Sequence, residues 1–478
     1  MYKTRTFIYD LAMAKPSSSF VCQSCGASFP KWAGKCEACN GWNCLVEEIS
    51  NAGPPKSLNA PNNRAKSNRI EFVPLKSDGD KQIPRRLSHI GEFDRVVGGG
   101  LVSGSATLVG GDPGIGKSTL LLQVVCQLAN KNKVAYISGE EAIDQVRLRA
   151  ARLGLADTPC SLAAETSVRD IVASIDHKDA PDILIIDSIQ TMYVDTLDSA
   201  PGTVAQVRTS AQELIRIAKK RDICVILVGH VTKDGMIAGP RVLEHMVDTV
   251  LYLEGDRGHQ FRVLRTVKNR FGPTDEIGVF EMTDKGLMEV QNPSALFLAD
   301  RREDMSGAAV FAGMEGTRPV LVEIQALVAP SSFGTPRRAV VGWDSGRLAM
   351  ILAVLEARCG VAFGANDVYL NVAGGFRITE PAADLAVAAA LLSSLTGEPV
   401  PASCVAFGEI GLSGEIRPVS QPELRLKEAV KLGFTQSIMP FSDKARKSAA
   451  APMLRTTEIR QLSELLPLFQ AEPQSKRA

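Results

Sequence analysis

Aromatic residues are scarce in this chain, 5% of 478 positions, although 45% of the residues are hydrophobic. A core built from Ala, Val, Leu and Ile with few rings suits an α/β protein. No apolar run is long enough to span a bilayer, which excludes a helical membrane protein. The first 14 residues lack the sustained apolar stretch and cleavage site of a secretion signal. The expectation is a cytoplasmic protein with no membrane partner, and Met13 is an alternative start. Net charge is nearly absent too, at +1, so no global field argues for a polyanion partner. Residues 1–87 nevertheless hold 13 Lys/Arg against 7 Asp/Glu, a local +6, while the remainder is −5 from 41 against 46. Such a segment is compatible with polyanion binding, although most are simply solvated.

The chain is too long for one ordinary core. Its ten cysteines divide sharply. Cys126, Cys160, Cys224, Cys359 and Cys404 are scattered through apolar surroundings and read as small buried hydrophobes. Cys22, Cys25, Cys36, Cys39 and Cys44 crowd together. Two C-x-x-C knuckles, Cys22/Cys25 and Cys36/Cys39, complete a tetrahedral four-thiolate site for Zn²⁺, with Cys44 as a bystander. So small a segment needs the metal to fold. Trp32 and Trp42 are expected to pack over the knuckles, with base stacking as the alternative.

The expected organisation is an N-terminal extension (1–19), the four-cysteine zinc finger (20–46) and a Pro/Asn/Lys/Ser-rich linker (47–85). A P-loop ATPase domain (86–290), a second α/β domain (291–465) and a polar tail (466–478) follow. In the ATPase region, strands are expected at 106–109, 134–138, 183–187, 225–228, 249–253 and 261–267. Helices are expected at 118–129, 141–153 and 203–220. Beyond Pro293 the pattern gives strands at 319–328, 340–341 and 368–371 and helices at 347–359 and 382–395.

The chemistry centres on Gly111-Asp112-Pro113-Gly114-Ile115-Gly116-Lys117-Ser118, a full G-x-x-x-x-G-K-[ST] match between an apolar run and a helical run. Glycines let backbone N–H groups turn inward around phosphate oxygens, and the new helix aims its positive end at them. Lys117 is expected on the β/γ-phosphates of ATP and Ser118 on Mg²⁺. Thr119 is counted with the nucleotide-binding set. Ile183-Leu184-Ile185-Ile186-Asp187 is an apolar strand ending in the carboxylate that completes the Mg²⁺ shell. Ser138-Gly139-Glu140-Glu141 places two carboxylates at the tip of a strand expected beside the P-loop strand. Glu140 is assigned as the base toward the attacking water, and Glu141 as the acid that starts the next helix.

His230 arrives at the same edge after 225–229, where it could sense the γ-phosphate. Lys233 and Arg241 follow in a glycine-containing loop suited to the DNA backbone. Lys268 and Arg270 stand at a strand end. They suit either the γ-phosphate of a neighbouring subunit or DNA phosphate.

The four cysteines, Gly98-Gly99-Gly100-Leu101, the P-loop, Ser138-Gly139-Glu140-Glu141 and Lys268-Asn269-Arg270-Phe271-Gly272 occur here in order. This resembles the RadA (Sms) family of bacterial DNA repair proteins over residues 13–465. The resemblance implies an α/β fold: a RecA-like P-loop ATPase core, an N-terminal four-cysteine zinc finger and a C-terminal Lon-protease-like domain. It implies a homo-oligomer, a hexameric ring, acting on single-stranded and branched DNA. The expected activity is branch migration of recombination intermediates begun by RecA, whose filaments are then a partner. Glu140, Lys117, Lys268 and Arg270 are the catalytic set it favours. In the Lon-like domain Pro381-Ala382-Ala383-Asp384 replaces the Pro-Ser-Ala-Gly of the nucleophile, and Glu423 replaces the lysine, with Lys427 nearby. Without a serine there is no acyl-enzyme. Arg337 and Arg338 are candidate DNA contacts of this domain. A non-motor RecA-like regulator is the competing expectation.

Metal analysis tests the cysteine reading. The purified chain is expected to hold one zinc ion, and Cys36→Ser to lose most of it; full occupancy in that variant rules out the ligand set.

Overall fold

A computed structural model of the chain describes residues 17–22, 28–37, 41–42, 45–50, 84–230, 242–255, 260–298, 301, 305–331, 335–441 and 454–469. Lys233 and Arg241, as well as Cys25, Cys39 and Cys44, lie outside these residues. The chain forms two compact units. One holds residues 1–90, 97–253 and 267–272, and the other 91–96, 254–266 and 273–478.

In the first unit, six parallel strands form the core sheet. Their spatial order is Thr249–Glu254, Ala106–Gly111, Cys224–Val228, Ile183–Asp187, Val134–Ser138 and Ser161–Ala164. The first five follow the apolar runs of the sequence, because strands covered on both faces need continuous Val, Ile and Leu. Every residue of Ala106–Gly111, Ile183–Asp187 and Cys224–Val228 is buried. The strand before Glu140 is not beside the P-loop strand, contrary to expectation. Cys224–Val228 and Ile183–Asp187 stand between them. Apolar runs fix which segments are strands, but crossover connections decide their order. Helices Lys117–Ala129, Ile143–Arg152, Val168–Ile175 and Val204–Arg221 complete the α/β layering.

Within the same unit, Ser17–Cys22 pairs antiparallel with Ser28–Phe29 and with Leu45–Ser50. Cys22 and Cys36 are fully buried and pack with Leu45. Cys36 N donates to Gly41 O at 2.8 Å, closing a tight turn after the second knuckle begins.

The second unit carries a seven-stranded mixed sheet with the order Arg338–Val341, Asn366–Val372, Arg318–Pro330, Ala308–Glu315, Cys404–Ala406, Gln436–Pro440 and Arg455–Ile459. Helix Asp384–Thr396 is buried along nearly its whole length and packs in this unit's core. Its small residues, Ala386, Ala388, Ala389 and Ala390, let it lie close to its neighbours. Arg425 is fully buried yet bonded through all three of its nitrogens. It pairs with Glu380 through both terminal nitrogens and donates to Ala312 O at 2.8 Å and Ser420 O at 3.0 Å. Among the described residues no helix is long and apolar enough to cross a membrane.

Breaking a buried pair strands an uncompensated charge, at a cost of about 3–5 kcal/mol. Glu380→Ala should therefore lower the urea midpoint of the second unit, followed by emission of its buried Trp343. An unchanged midpoint would show that Arg425 does not depend on this partner.

Candidate active site

The strand Ala106–Gly111 runs straight into the phosphate-binding sequence, and the helix starts at Lys117. Gly114 (φ 78°) and Gly116 (φ 115°, ψ 10°) adopt left-handed conformations that side chains resist, so the loop can curl ahead of the helix. Lys117 is buried, and its Nζ donates to Gly111 O at 2.7 Å and Asp112 O at 2.9 Å. Burial pulls its pKa below the usual lysine range, against the opposing pull of Asp187, Glu140 and Asp112. Those three carboxylates surround the ammonium electrostatically.

Asp187 ends its strand almost fully buried and accepts a hydrogen bond from the Tyr136 hydroxyl. Burial and the Asp187 charge push the Tyr136 pKa well up, so it remains a donor. Tyr136 is invisible in the sequence, since an aromatic residue within an apolar strand reads as core. Ser118 and Asp187 offer a hydroxyl and a carboxylate, hard oxygen donors suited to Mg²⁺.

Glu140 is reached through a constriction. A Cβ on Gly139 would stand 2.1 Å from Thr191 Oγ1 and 2.7 Å from Met192 Cε, so only glycine fits there. Gly139 N donates to Asp187 O at 2.7 Å, which carries the turn across to the neighbouring strand end. Glu140 Oε1 then accepts both the Ser188 hydroxyl and His230 Nε2, the latter at 2.9 Å. An ionised carboxylate only accepts, so Nε2 carries the proton. The His230 hydrogen bond, then that of Ser188, and the charges of His230 and Lys117 hold the Glu140 carboxyl at about 2, against the upward push of burial. Ser188 is also missed by sequence reasoning; its only signal is its place directly after Asp187. Glu141 pairs with Arg149 of the following helix, and its N–H donates to Ser138 Oγ at 2.9 Å.

Lys268 and Arg270 lie elsewhere. Lys268 Nζ donates to Glu244 O at 2.7 Å and Val247 O at 2.8 Å. Burial, then the Arg270 charge, lowers its pKa. Arg270 pairs with Asp248 at 2.9 Å, and Asp248 in turn accepts from Ala106 N at 3.0 Å. Ala106 begins the strand whose far end, Gly111, enters the P-loop. At roughly 3.3 Å per residue, about 16 Å of strand separates Ala106 from Gly111. Arg85 clamps this turn, donating to Gly98 O and Phe271 O at 2.6 Å each, which explains the company of Gly98 and Gly272. Asp248 and Arg85 belong to no motif, and the sequence does not single them out.

In the second unit, Arg338 spends its guanidinium on the carbonyls of Arg337, Asn366 and Phe363. Arg337 N donates to Asp367 Oδ1 at 2.7 Å. Ala382 is buried in the turn Pro381–Ala383. Asp384 is fully buried, held by Arg347 through two bonds of 2.6 Å and by Ile410 N at 3.0 Å. Glu423 and Lys427 are both exposed.

A phosphate-binding loop on a parallel sheet, with carboxylates at the same edge, defines a P-loop ATPase. Three family models match the chain: an AAA domain over 68–236, the ChlI subunit of Mg-chelatase over 334–443, and a rubredoxin metal-binding domain over 20–47. A "DNA repair protein RadA" of Brucella abortus is 63% identical over 433 residues, covering 90% of this chain and 92% of the relative. Proteins of that name from Bacillus subtilis (51%; 90% and 94% covered) and Pseudomonas aeruginosa (48%; 95% and 100% covered) are also similar. The chain belongs to the RadA family of DNA repair proteins. Among solved structures, the RadB recombinase is 24% identical with a TM-score of 0.36, covering 43% of this chain and 100% of that one. A KaiC-like protein from Pyrococcus horikoshii is 20% identical with a TM-score of 0.37, covering 44% and 100%. The fold class is α/β, with a P-loop ATPase core that matches an AAA domain, an N-terminal zinc ribbon and a C-terminal domain similar to the ChlI subunit of Mg-chelatase.

Because the folded Glu140 pKa lies below its ordinary 4.5, its charge stabilises the fold above that value, and the benefit fades as pH falls toward about 2. His230→Ala should return the carboxyl toward its ordinary range. The stability gap between wild type and variant, from denaturant titrations, should then narrow as pH falls from about 5 toward about 2. A gap that does not change with pH would show that His230 does not hold Glu140 ionised.

Proposed function

We propose that this chain is a DNA-stimulated ATPase that binds single-stranded and branched DNA and promotes branch migration of recombination intermediates begun by RecA. It works as a hexameric ring with ATP between subunits. The observation that carries this reading is the separation of the two halves of the hydrolytic apparatus. Lys117, Asp187 and Glu140 gather at one edge of the sheet, whereas Lys268 and Arg270 are anchored to Asp248 and its neighbours at the other. Cations that distant cannot serve the nucleotide of their own subunit, but a ring brings one subunit's far edge to the next subunit's P-loop.

In this reading Gly111, Asp112, Pro113, Gly114, Ile115, Gly116, Lys117, Ser118 and Thr119 cradle the triphosphate. Ser118 and Asp187 hold Mg²⁺, which would neutralise charge between the phosphates. A carboxyl near pKa 2 is a poor proton acceptor at neutral pH. Glu140 therefore orients and polarises the attacking water through the oxygen that Ser188 and His230 leave available. Triphosphate charge brought beside it raises its basicity when substrate is in place. His230 directly precedes the segment bearing Lys233 and Arg241, so the carboxylate that meets the water is joined by the chain to a basic stretch suited to DNA. Cys22, Cys25, Cys36 and Cys39 hold Zn²⁺, and the burial of Cys22 and Cys36 in one small cluster fits that role. Proteolysis is disfavoured because Ala382 is both unreactive and buried.

ATPase rates with and without single-stranded and forked DNA test this function. DNA should raise turnover, and Lys117→Ala should abolish both hydrolysis and branch migration. Mixing inactive Lys117→Ala with inactive Arg270→Ala should restore part of the activity, since some interfaces then join an intact loop to an intact arginine. Turnover indifferent to DNA rejects the motor; no recovery on mixing rejects the shared site.

A further inference from the structure

The sequence leads one to expect the zinc ribbon to tuck its two tryptophans over the metal knuckles. It does the reverse. Trp32 is 58% exposed and Trp42 is 73% exposed, although large aromatic surfaces are normally withdrawn from water. The small core beneath them is made instead by Cys22, Cys36 and Leu45, with Phe20, Phe29 and Ala33 packed against it.

The two rings are also brought together. An atom placed at the Cβ position of Gly34 would lie 3.9 Å from Trp32 Cη2 and 4.0 Å from Trp42 Cζ3, so both ring edges lie beside one glycine. The bridge between Lys35 and Trp42 holds the backbone of the second ring beside the segment that carries the first. Lys35 Nζ stands 5.9 Å from the Trp42 ring centroid, and Lys31 is exposed one residue before Trp32. Glu37 is the exposed acid nearby in sequence. Exposed indole faces interleaved with cations are what unstacked bases and their phosphates require, because every base has a face to stack and a backbone charge to neutralise. Paired bases inside a duplex offer no such face.

We propose that Trp32 and Trp42, with Lys31 and Lys35, form a stacking platform for single-stranded DNA. This rests on the reading of DNA as the protein's partner and assigns the zinc ribbon its part: holding unpaired bases.

The chain has three tryptophans, and the third, Trp343, is buried. Trp343 emits as well but is shielded from added DNA, so the change in intrinsic emission on titration reports the platform. Titrating the full-length protein with oligothymidylate should quench emission in step with binding measured by anisotropy of a labelled oligonucleotide, while a blunt duplex should quench little. Trp32→Ala/Trp42→Ala should abolish the quench, retain zinc and basal ATPase, and weaken single-strand binding on the order of tenfold or more. Trp32→Phe/Trp42→Phe should restore affinity, as a stacking role demands. Anisotropy that saturates without quenching, a duplex that quenches equally, or unchanged affinity in the alanine pair would overturn the platform while leaving the ATPase reading intact. Quenching that follows protein concentration without DNA would assign the rings to contact between copies and also overturn it. No single-strand binding at all would remove both readings.

Discussion

One oxygen atom organises the catalytic edge of the sheet. Glu140 Oε1 accepts Ser188 from the end of one strand and His230 from the end of another, while Glu140 itself follows a third. These three strands come from distant parts of the chain and share only the direction of a parallel sheet. Because all of them run the same way, their last residues emerge together, and a single carboxylate can tie them. Two donors on one oxygen fix the carboxylate's orientation and leave its other oxygen for the water of the proposed reaction. The Tyr136–Asp187 bond below it and the narrow passage at Gly139 complete a site whose polar atoms are positioned before any ligand enters, which favours electrostatic preorganisation.

The opposite edge obeys a different constraint. Asp248 joins the start of the P-loop strand to Arg270, and carbonyls of Glu244 and Val247 hold Lys268. Arg85 fastens the following turn to the glycine run at 98–100. The motif is thus pinned to the rigid sheet rather than carried on a loose loop, which is the rigidity that its proposed action on a neighbouring subunit's substrate needs.

Much of this is legible in the sequence, for identifiable reasons. The P-loop, Asp187 and the buried strands show themselves because phosphate cradling demands glycines and double-sided burial demands apolar runs. Strand Ser161–Ala164 escapes because it lies at the sheet edge and is largely exposed, so its composition carries no apolar signature. Sheet order escapes as well, which is why the Glu140 strand is expected beside the P-loop strand. Tyr136, Ser188, Asp248 and Arg85 form no spaced pattern; each acquires meaning only from a partner many residues away. The tryptophans mislead for another reason. In a ribbon this small the tryptophans look necessary to the core, yet among the described residues Cys22, Cys36 and Leu45 fill it with Phe20, Phe29 and Ala33 packed against them.

The burial of Ala382 limits the chemistry open to the second unit. A peptidase nucleophile must face a groove open to peptide, whereas this position is sealed among apolar side chains, and Gly408 N is bonded to its carbonyl. Restoring a hydroxyl there would hide it in the interior. A serine at 382 alone would therefore present no nucleophile that a peptide could reach.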